Sequence, residues 1–414
     1  MTEPRTTLHA RIRAFIERPI SAPVSAGSAP PSYAQQALAS SERTAASARP
    51  HADDASAAMR DALLLTLADY QRAHVAPYAR FSAQRLRGRT ISSVDDVPAL
   101  PTDAFRFARI SSRGPSEDVR TFRSSGTTQD ARSTHALQDL SLYDAAARAA
   151  ARHALFPDRD QMALIVLAPH ERELNDSSLS YMLARFVEWF GNDGSTHVWP
   201  LERPELDRLS ARLERASAAH MPVALLGTSF AFVHAIDALH ERRFALPAGS
   251  RIMQTGGFKG RSREIAPDDM RGLLSDTFAV APDLIVAEYG MTELSSQLYD
   301  DTLRTRVLGQ VEFGSRAQEL RASTELQPQP RRLWAPPWVR VSVVHPETLQ
   351  PLPHGEPGLV RIDDLANLDS VAFIQTSDLG TLDEHGLTLH GRASDAVARG
   401  CSITAEQLLS AGKP

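Results

Sequence analysis

The sequence is poor in several features that would point to particular classes of protein. It contains one cysteine, Cys401, among 414 residues, so an intramolecular disulfide is excluded, and no Cys/His spacing of the structural-zinc kind is present. No apolar run is long enough to cross a bilayer, and the N-terminus lacks the apolar segment of a secretory signal. The sequence therefore predicts a cytoplasmic protein without a membrane span.

The chain has no excess of positive charge, and lysine is scarce. The formal net charge is -5, which predicts no basic surface and argues against nucleic acid as a partner. Lys259 and Lys413 are the only lysines, so nearly all of the 45 basic residues are arginine. Codon bias in a GC-rich genome explains the excess of arginine, but Lys259 still stands out because it lies in a glycine-rich segment.

Composition divides the chain into three parts. With 42% hydrophobic and 23% charged residues, it can bury a large core. Residues 1–57 are expected to be a mobile leader rich in Ala, Ser and Pro, with a short helix at residues 8–16. Residues 58–330 are predicted to form the core, and residues 331–414 a β-rich subdomain with a C-terminal segment.

Apolar runs that alternate with helical patterns predict an α/β fold. Residues 161–169, 222–227 and 283–290 are short apolar runs typical of buried strands, and helical patterns lie between them. This alternation favours a sheet of mainly parallel strands flanked by helices. Residues 358–365 and 370–382, punctuated by Pro and Gly, indicate a smaller and more antiparallel β-rich subdomain.

A run of hydroxyl residues interrupts the core at residues 121–132, TFRSSGTTQDAR. Its hydroxyls compete for backbone hydrogen bonds and its glycine loosens the chain, so the run predicts a loop. The loop is either a solvated turn or a cradle in which N–H and hydroxyl groups converge on phosphate oxygens.

A second polar segment, AEYGMTELSS at residues 287–296, leaves a predicted strand. Ligands of open α/β sheets lie beyond the carboxyl ends of the strands. Tyr289 could stack on a purine, Thr292 could donate to a phosphate, and Glu293 could hold Mg²⁺ through a carboxylate oxygen. The alternative is a turn with a core tyrosine and a helix-capping threonine.

Three further segments carry groups suited to a nucleotide. Gly256 and Gly257 are adjacent after a predicted strand, where a backbone could approach a flat ring. Asp378 follows another strand and is a good partner for the vicinal hydroxyls of a ribose, and Arg392 could reach the ribose or a phosphate.

The order of these motifs resembles that of the core motifs of the adenylate-forming superfamily. The motifs are, in order, SSGTT, TGG, YGMTE, SDLG and GRASD…RG. Members of that superfamily join a carboxylate to AMP with ATP and Mg²⁺. The segments LPTDAFR, NDSSLSYM, LLGTSFAF, TGGFKGR and ARGCS are most similar to the LuxE-like acyl-protein synthetases of the bacterial-luminescence fatty-acid reductase. The resemblance covers residues 63–409. It implies an enzyme that makes an acyl-adenylate and passes the acyl group to its own cysteine near the C-terminus.

The resemblance also implies roles for individual residues. The residues expected to hold the ATP phosphates are Ser124, Ser125, Gly126, Thr127 and Thr128. Those expected around the adenine and the ribose are Gly256, Gly257, Tyr289, Gly290, Asp378 and Arg392. Thr292 would touch the α-phosphate, and Glu293 would bind Mg²⁺.

The sequence differs from the larger adenylate-forming ligases at two points. Those enzymes follow the phosphate loop with Pro-Lys, whereas Gln129 and Asp130 stand here. They also carry a C-terminal domain of about a hundred residues with a catalytic lysine, and this domain is expected to be absent or vestigial. Lys259 is the candidate for the missing cation. Its competitors are Arg123, Arg132 and Arg261.

Cys401 is the predicted acyl acceptor. Thr404 and Gln407 form a capping-box pattern, which predicts a short helix just after the cysteine. A helix N-terminus with Arg399 nearby would stabilise the thiolate that attacks an acyl-adenylate. The alternative is a buried, inert cysteine.

Several other polar and aromatic residues have less specific interpretations. His170, Glu171 and Glu173 follow a strand and either line a carboxylate pocket or form a solvated loop. The aromatic residues Phe186, Trp189, Phe230 and Phe232 are expected in the core rather than in an acyl pocket. An acyl pocket that they lined would be apolar and would suit an aliphatic or aryl acid.

The predicted function is therefore ATP- and Mg²⁺-dependent activation of a carboxylic acid, expected to be a fatty acid, to an acyl-adenylate. The acyl group is then expected to move to a thiol, that of Cys401 itself. The expected partners are an acyl-thioester reductase or an acyl carrier protein. One alternative is a stand-alone ligase that loads an external carrier protein or coenzyme A. Another is a non-catalytic nucleotide-binding subunit of a reductase complex.

Overall fold

Helices and strands alternate through the computed structural model, which describes residues 2–20, 52–125, 132–240, 242–256, 265–313 and 331–393. The helices are α1 Arg5–Ile16, α2 Ala52–His74, α3 Ala76–Leu86, α4 Ala104–Phe107, α5 Ser141–Ala154, α6 Ser178–Phe190, α7 Leu206–Ala218, α8 Ser229–Ala238, α9 Pro267–Phe278 and α10 Thr302–Phe313. The strands are β1 Leu100–Pro101, β2 Arg120–Arg123, β3 Thr134–Leu137, β4 Ala163–Leu167, β5 Thr196–His197, β6 Val223–Thr228, β7 Arg251–Thr255, β8 Ile285–Tyr289, β9 Leu298–Asp300, β10 Leu333–Trp334, β11 Val339–Val344, β12 Pro357–Asp364, β13 Phe373–Asp383 and β14 Gly386–Arg392.

The large sheet has the strand order β11-β12-β13-β14-β10-β9-β8-β7-β6-β4-β5, with β1 beside β13. Strands β4 to β8 pair in parallel. From β8 to β11 along this order every pair of strands is antiparallel, whereas β1 pairs with β13 in parallel. The hairpin β2–β3 forms a second small sheet. The predicted α/β fold with mainly parallel core strands and a more antiparallel C-terminal part is confirmed.

The apolar runs of the sequence explain the parallel strands. Every residue of β4 and β7 is buried, and so are the first five residues of β6. Strands covered on both faces have near-continuous apolar sequences, which is the pattern that predicted them. The antiparallel strands continue the same sheet, since Leu333 pairs with both Asp300 and Leu387. The predicted domain boundary at residue 330 stays a prediction.

The N-terminal helix α1 packs against the core. Leu8, Ile12, Phe15 and Ile16 form its buried face, and the Arg5 guanidinium bonds to the carboxylate of Asp369 with an Nε–Oδ1 distance of 2.7 Å. The structure thus contains the helix predicted at residues 8–16, but attached to the core, whereas the sequence indicated a mobile leader. The reason is the apolar stripe, which requires a surface to pack on.

The rest of the expected leader is described only in part. Residues 21–51 lie outside the described residues, and α2 already begins at Ala52. None of the helices that the structure describes has the length and apolar character needed to cross a membrane.

Candidate active site

A cleft of about 2310 Å³ opens where the parallel strands end. Its lining includes the last residues of β4, β6, β7 and β8, which are Leu167, Thr228, Thr255 and Tyr289. The carboxyl ends of parallel strands are the usual position for ligands in α/β sheets. The site residues predicted from the sequence that line this cleft are Ser124, Ser125, Gly256, Tyr289, Gly290, Thr292, Glu293, Asp378 and Arg392.

The remaining predicted site residues lie outside the described part of the chain. They are Gly126, Thr127, Thr128, Gly257, Lys259 and Cys401. Their roles, like those of the residues in the cleft, stay predictions.

The stem of the hydroxyl-rich loop is firmly held. The backbone N–H of Ser133 donates to Ser124 Oγ at 3.0 Å, and the N–H of Arg123 donates to the carbonyl of Asp176 at 2.8 Å. Arg132 bonds to the Asp176 carboxylate at 2.9 Å and to the carbonyl of Ser124. Arg132 was a competitor for the catalytic cation, and these bonds instead tie it to the base of the loop.

Tyr289 and Asp378 form a pair in the lining of the cleft. The phenol of Tyr289 donates to Asp378 Oδ2 at 2.7 Å, and Arg392 Nε approaches Asp378 Oδ1 at 3.3 Å. Asp378 and Arg392 are neighbours because they are register partners on β13 and β14. Burial and the adjacent Asp378 carboxylate raise the pKa of Tyr289. The phenol therefore keeps its proton at neutral pH and orients the carboxylate toward the cleft.

We expect Asp378→Asn to raise the KM for ATP about tenfold with a smaller effect on kcat. A charge-assisted hydrogen bond to a ribose hydroxyl would be replaced by a neutral one, a loss of about 1.4 kcal/mol. Steady-state kinetics with ATP as the varied substrate measures this. Glu384→Gln at the exposed tip of the same hairpin is the matched control. An unchanged KM for Asp378→Asn would contradict the ribose assignment.

Glu293 lies in the turn that follows β8. Its side chain lines the cleft although the residue is only 6% exposed. Burial raises the pKa of Glu293, and a hydrogen bond from Ser133 opposes that shift. The backbone carbonyl of Glu293 accepts a bond of 2.8 Å from Asn367 Nδ2. The turn therefore presents one carboxyl group from a fixed position.

His135 fixes the preceding residue of this turn. Its Nδ1 lies 2.8 Å from the carbonyl oxygen of Thr292, and burial lowers the pKa of His135 to about 4. The ring is neutral at pH 7, so Nδ1 must carry the proton that it donates to Thr292. His135 thus holds the turn without adding charge to the site.

A buried polar network supports the turn from below. Asp364 accepts bonds from the backbone N–H of Ser295 at 3.0 Å and from Ser296 Oγ at 2.7 Å. Asn367 Oδ1 accepts from Ser295 Oγ at 2.5 Å, and its backbone carbonyl accepts from Gln71 Nε2 at 2.7 Å. The motifs in the sequence did not indicate these residues. The available signal was the polar cluster inside the otherwise apolar segment 359–374.

Glu288 is a second carboxyl group that sequence analysis missed. It is 8% exposed, lines the cleft and accepts a hydrogen bond from Thr255 Oγ1. Burial raises the pKa of Glu288 to about 7. The signal in the sequence was a charged residue at the end of a buried, apolar strand.

Part of the cleft wall is apolar. Leu179 and Met182 of α6, Trp199 and Phe230 contribute to it. Phe230 therefore faces the cleft, contrary to its expected place in the core, because it stands in the first turn of α8 directly after β6. Phe186 and Phe232 are fully buried, as expected.

In the loop after β4, Pro169 and Leu174 line the cleft, but His170, Glu171 and Glu173 do not. Glu171 pairs with Arg120 at 3.0 Å and with Arg185 at 2.9 Å, while His170 Nδ1 accepts from the backbone of its own loop at 3.1 Å. A loop that pairs with neighbouring side chains is thus a better description than a carboxylate pocket.

The donor set of the cleft suits a magnesium ion that is shared with phosphates. In the part of the chain that the structure describes, no three His, Cys, Asp or Glu side chains gather into a metal cage. Mg²⁺ is usually bound by one or two carboxylates together with substrate phosphates. Glu293 supplies one such carboxylate beside the predicted phosphate loop, so the residues present fit the ion.

Comparison with known proteins identifies the family of this chain and solved structures with a similar fold. Residues 33–410 match the model of the family described as acyl-protein synthetase, LuxE. Two long-chain-fatty-acid–luciferin-component ligases are similar. The one from Vibrio harveyi is 23% identical over 348 residues, which are 81% of this chain and 84% of the relative. The one from Aliivibrio fischeri is 22% identical over 329 residues, which are 76% of this chain and 79% of the relative.

Among solved structures, the open conformation of 2-hydroxyisobutyryl-CoA ligase superposes with a TM-score of 0.57 at 15% identity, covering 84% of this chain and 80% of that one. The postadenylation state of the same ligase superposes with a TM-score of 0.57, and the match covers 84% of this chain and 73% of that one. At this identity the likeness shows the fold, which is that of the adenylate-forming ligases. Because the family match spans most of the sequence, the resemblance inferred from the motifs is confirmed, and the chain belongs to the LuxE family of acyl-protein synthetases.

Proposed function

We propose that this enzyme joins a carboxylic acid, a fatty acid in the first instance, to AMP at the expense of Mg·ATP and then transfers the acyl group to Cys401. One observation carries the proposal: the stem of the hydroxyl-rich loop, the Tyr289–Asp378 pair and the buried carboxyl of Glu293 line the same cleft. These three features match the phosphates, the nucleoside and the metal-bound oxygens of Mg·ATP. The fatty-acid assignment follows the names of the two luciferin-component ligases.

Each wall of the cleft has its own role in binding. Asp378 accepts hydrogen bonds from the ribose hydroxyls, and Tyr289 contacts the base. Ser124 and Ser125 begin the loop that would hold the phosphates, where hydroxyl and N–H donors suit anionic oxygens. Glu293 would hold Mg²⁺, which when bound neutralises charge on the phosphates.

In the first step, a carboxylate oxygen of the acid attacks the α-phosphorus. The bond from that phosphorus to the bridging oxygen breaks, and pyrophosphate leaves with the electron pair. A cation beside the α-phosphate would stabilise the charge that develops there. Lys259 is the proposed source, since Arg132 is already bonded to Asp176.

In the second step, the thiolate sulfur of Cys401 attacks the acyl carbonyl carbon. The bond between that carbon and the phosphate oxygen breaks, AMP leaves, and a thioester remains. An acyl-thioester reductase is the proposed consumer of this thioester. An external thiol on a carrier protein or on coenzyme A is the alternative acceptor.

The nucleotide product tests the first step. With ATP labelled at the α-phosphorus, Mg²⁺ and a panel of fatty and aryl acids, we expect acyl-AMP and AMP to form only when acid is present, and chelation of Mg²⁺ to stop the reaction. Labelled ADP would contradict attack at the α-phosphorus. Complete failure to consume ATP with every acid would favour a non-catalytic nucleotide-binding subunit.

A further inference from the structure

A row of polar side chains lies on the face of the sheet opposite to Tyr289. Thr255 and Glu288 of this row line the cleft, whereas Tyr299 is fully buried. Thr255, Glu288 and Tyr299 are register partners on β7, β8 and β9. Register partners project from the same face of a sheet, and successive residues project from opposite faces. Glu288 therefore points away from the nucleotide side, to which its neighbour Tyr289 belongs.

The carboxyl group of Glu288 has few hydrogen-bond partners on this face. Its carboxyl accepts a hydrogen bond from the Thr255 hydroxyl, and among the described residues no arginine, lysine or histidine forms an ion pair with it. A buried carboxyl with so few partners costs free energy, which is why its pKa rises to about 7. Because Glu288 also lines the cleft, a ligand can supply the missing partner.

A second acceptor lies beside Glu288. Gln297 lines the cleft, is only 4% exposed, and its Oε1 has no hydrogen-bond partner in the described part of the chain. Both side chains surround Gly290, since a Cβ built there would lie 2.5 Å from Glu288 Oε1 and 3.6 Å from Gln297 Cγ. The crowding explains the glycine. It also places two acceptors next to the turn that carries Thr292 and Glu293.

Apolar groups share the cleft with these acceptors. Leu167, Met182 and Phe230 line the same cleft, and Tyr143 of α5 lies close enough to Glu288 for that carboxyl to raise the tyrosine pKa. An unsubstituted aliphatic acid would satisfy the apolar wall but would leave both acceptors unpaired. A buried polar group left unpaired disfavours binding of such an acid.

We infer that the cleft selects a carboxylic acid with a hydrogen-bond donor, a hydroxyl, within a few carbons of its carboxylate, and that Glu288 and Gln297 receive this group. The inference rests on the proposed adenylation. A hydroxyl fits better than an ammonium group because it can donate to Gln297 Oε1 and can either accept from or donate to Glu288, whichever protonation state that carboxyl has. Glu288 and Gln297 are thus specificity-determining residues.

The test compares acids of one chain length. Acid-dependent formation of AMP is measured with decanoate, 2-hydroxydecanoate, 3-hydroxydecanoate and 2-aminodecanoate. We expect kcat/KM to be at least about tenfold higher for one of the hydroxy acids than for decanoate, because a site built to bond a hydroxyl discriminates against the analogue that lacks it.

Variants test whether Glu288 and Gln297 cause the preference for a hydroxy acid. Glu288→Leu should lose the preference and accept decanoate at least as well as the hydroxy acid, whereas Glu288→Gln, which still accepts a hydrogen bond, should retain part of it. Gln297→Leu should also weaken the preference for the hydroxy acid, and it provides an independent test in case Glu288→Leu does not fold. The exposed Glu356 lies outside the cleft lining, and Glu356→Gln is the control that should leave selectivity unchanged.

Several outcomes would overturn the inference. They are a wild-type preference for decanoate, a preference for the amino acid over both hydroxy acids, or an equal effect of Glu288→Leu on every acid. In each of these the enzyme still forms AMP, so the proposed adenylation survives. If no acid yields AMP, the proposed function fails first, and the inference fails with it.

Discussion

Glu293→Gln is expected to lower the rate of acyl-adenylate formation about a hundredfold and to raise the Mg²⁺ concentration required for half-maximal rate. The glutamine keeps the shape of the side chain but removes the anionic oxygen that would bind the ion. Metal ions contribute several kcal/mol to stabilising charge on a transferring phosphoryl group, and about 2.7 kcal/mol corresponds to a hundredfold in rate. Single-turnover formation of acyl-AMP across a Mg²⁺ titration measures both effects.

The stability of the same variant separates a catalytic role from a structural one. Burial raises the pKa of Glu293 in the folded state, so folding disfavours its ionised form once the pH is above the unfolded value. Replacing it with neutral glutamine removes that penalty at pH 7, and we expect a Tm equal to or above that of the wild type. Glu347→Gln on the exposed surface is the control. A wild-type rate and Mg²⁺ dependence for Glu293→Gln would contradict the assignment.

Neighbouring residues explain why Glu293 is well suited to this task. The turn is held at Thr292 by His135 and at Glu293 by Asn367. Both bonds go to backbone carbonyls, so they fix the position of the carboxyl group without competing for its oxygens. An ion bound there would meet a carboxylate whose geometry is set before the ligand arrives.

The sequence alone predicts the parallel core and the cleft at its edge, because both depend on local patterns. Buried parallel strands require continuous apolar runs, such as residues 163–167, and ligand-binding groups follow directly after the strand ends. The segment that contains Tyr289 and Glu293 was located in this way. The order of the motifs then indicated the family.

Features that depend on long-range contacts were not predictable. The apolar stripe of α1 required a partner surface, but nothing local identifies Asp369 as the partner of Arg5. The support of the Glu293 turn comes from Asn367, far along the chain, and it becomes visible only when β12 and β13 are in place. Sequence reasoning therefore found the residues that face the cleft more readily than those that hold them.

Strand geometry explains why the sequence did not indicate Glu288 as a residue of the cleft. Side chains alternate between the two faces of a strand, so Glu288 and Tyr289 enter different parts of the cleft although they are adjacent. Which face meets the nucleotide depends on the register with Thr255 and Tyr299. A single sequence does not contain that register. The same reasoning applies to Phe230, whose exposure to the cleft depends on where α8 begins.

Cys401→Ser is expected to abolish the acyl-enzyme thioester completely while acyl-AMP still forms. Adenylation would depend on the cleft residues, whereas the thiol acts only after pyrophosphate has left. Cys401 lies outside the described residues, and its assignment rests on the resemblance of the segment ARGCS to the family and on the predicted helix that follows it. A serine ester would resist neutral hydroxylamine, and Cys401→Ala removes the nucleophile altogether, so the two variants together identify the acceptor atom.

The most direct measurement is the intact mass of the protein after incubation with Mg·ATP and a panel of acids, for wild type, Cys401→Ser and Cys401→Ala. The account predicts a mass increase equal to one acyl group on the wild type, removed by neutral hydroxylamine, and no hydroxylamine-sensitive adduct on either variant. A wild-type protein that releases AMP and pyrophosphate yet gains no mass would contradict self-acylation and assign the transfer to an external thiol.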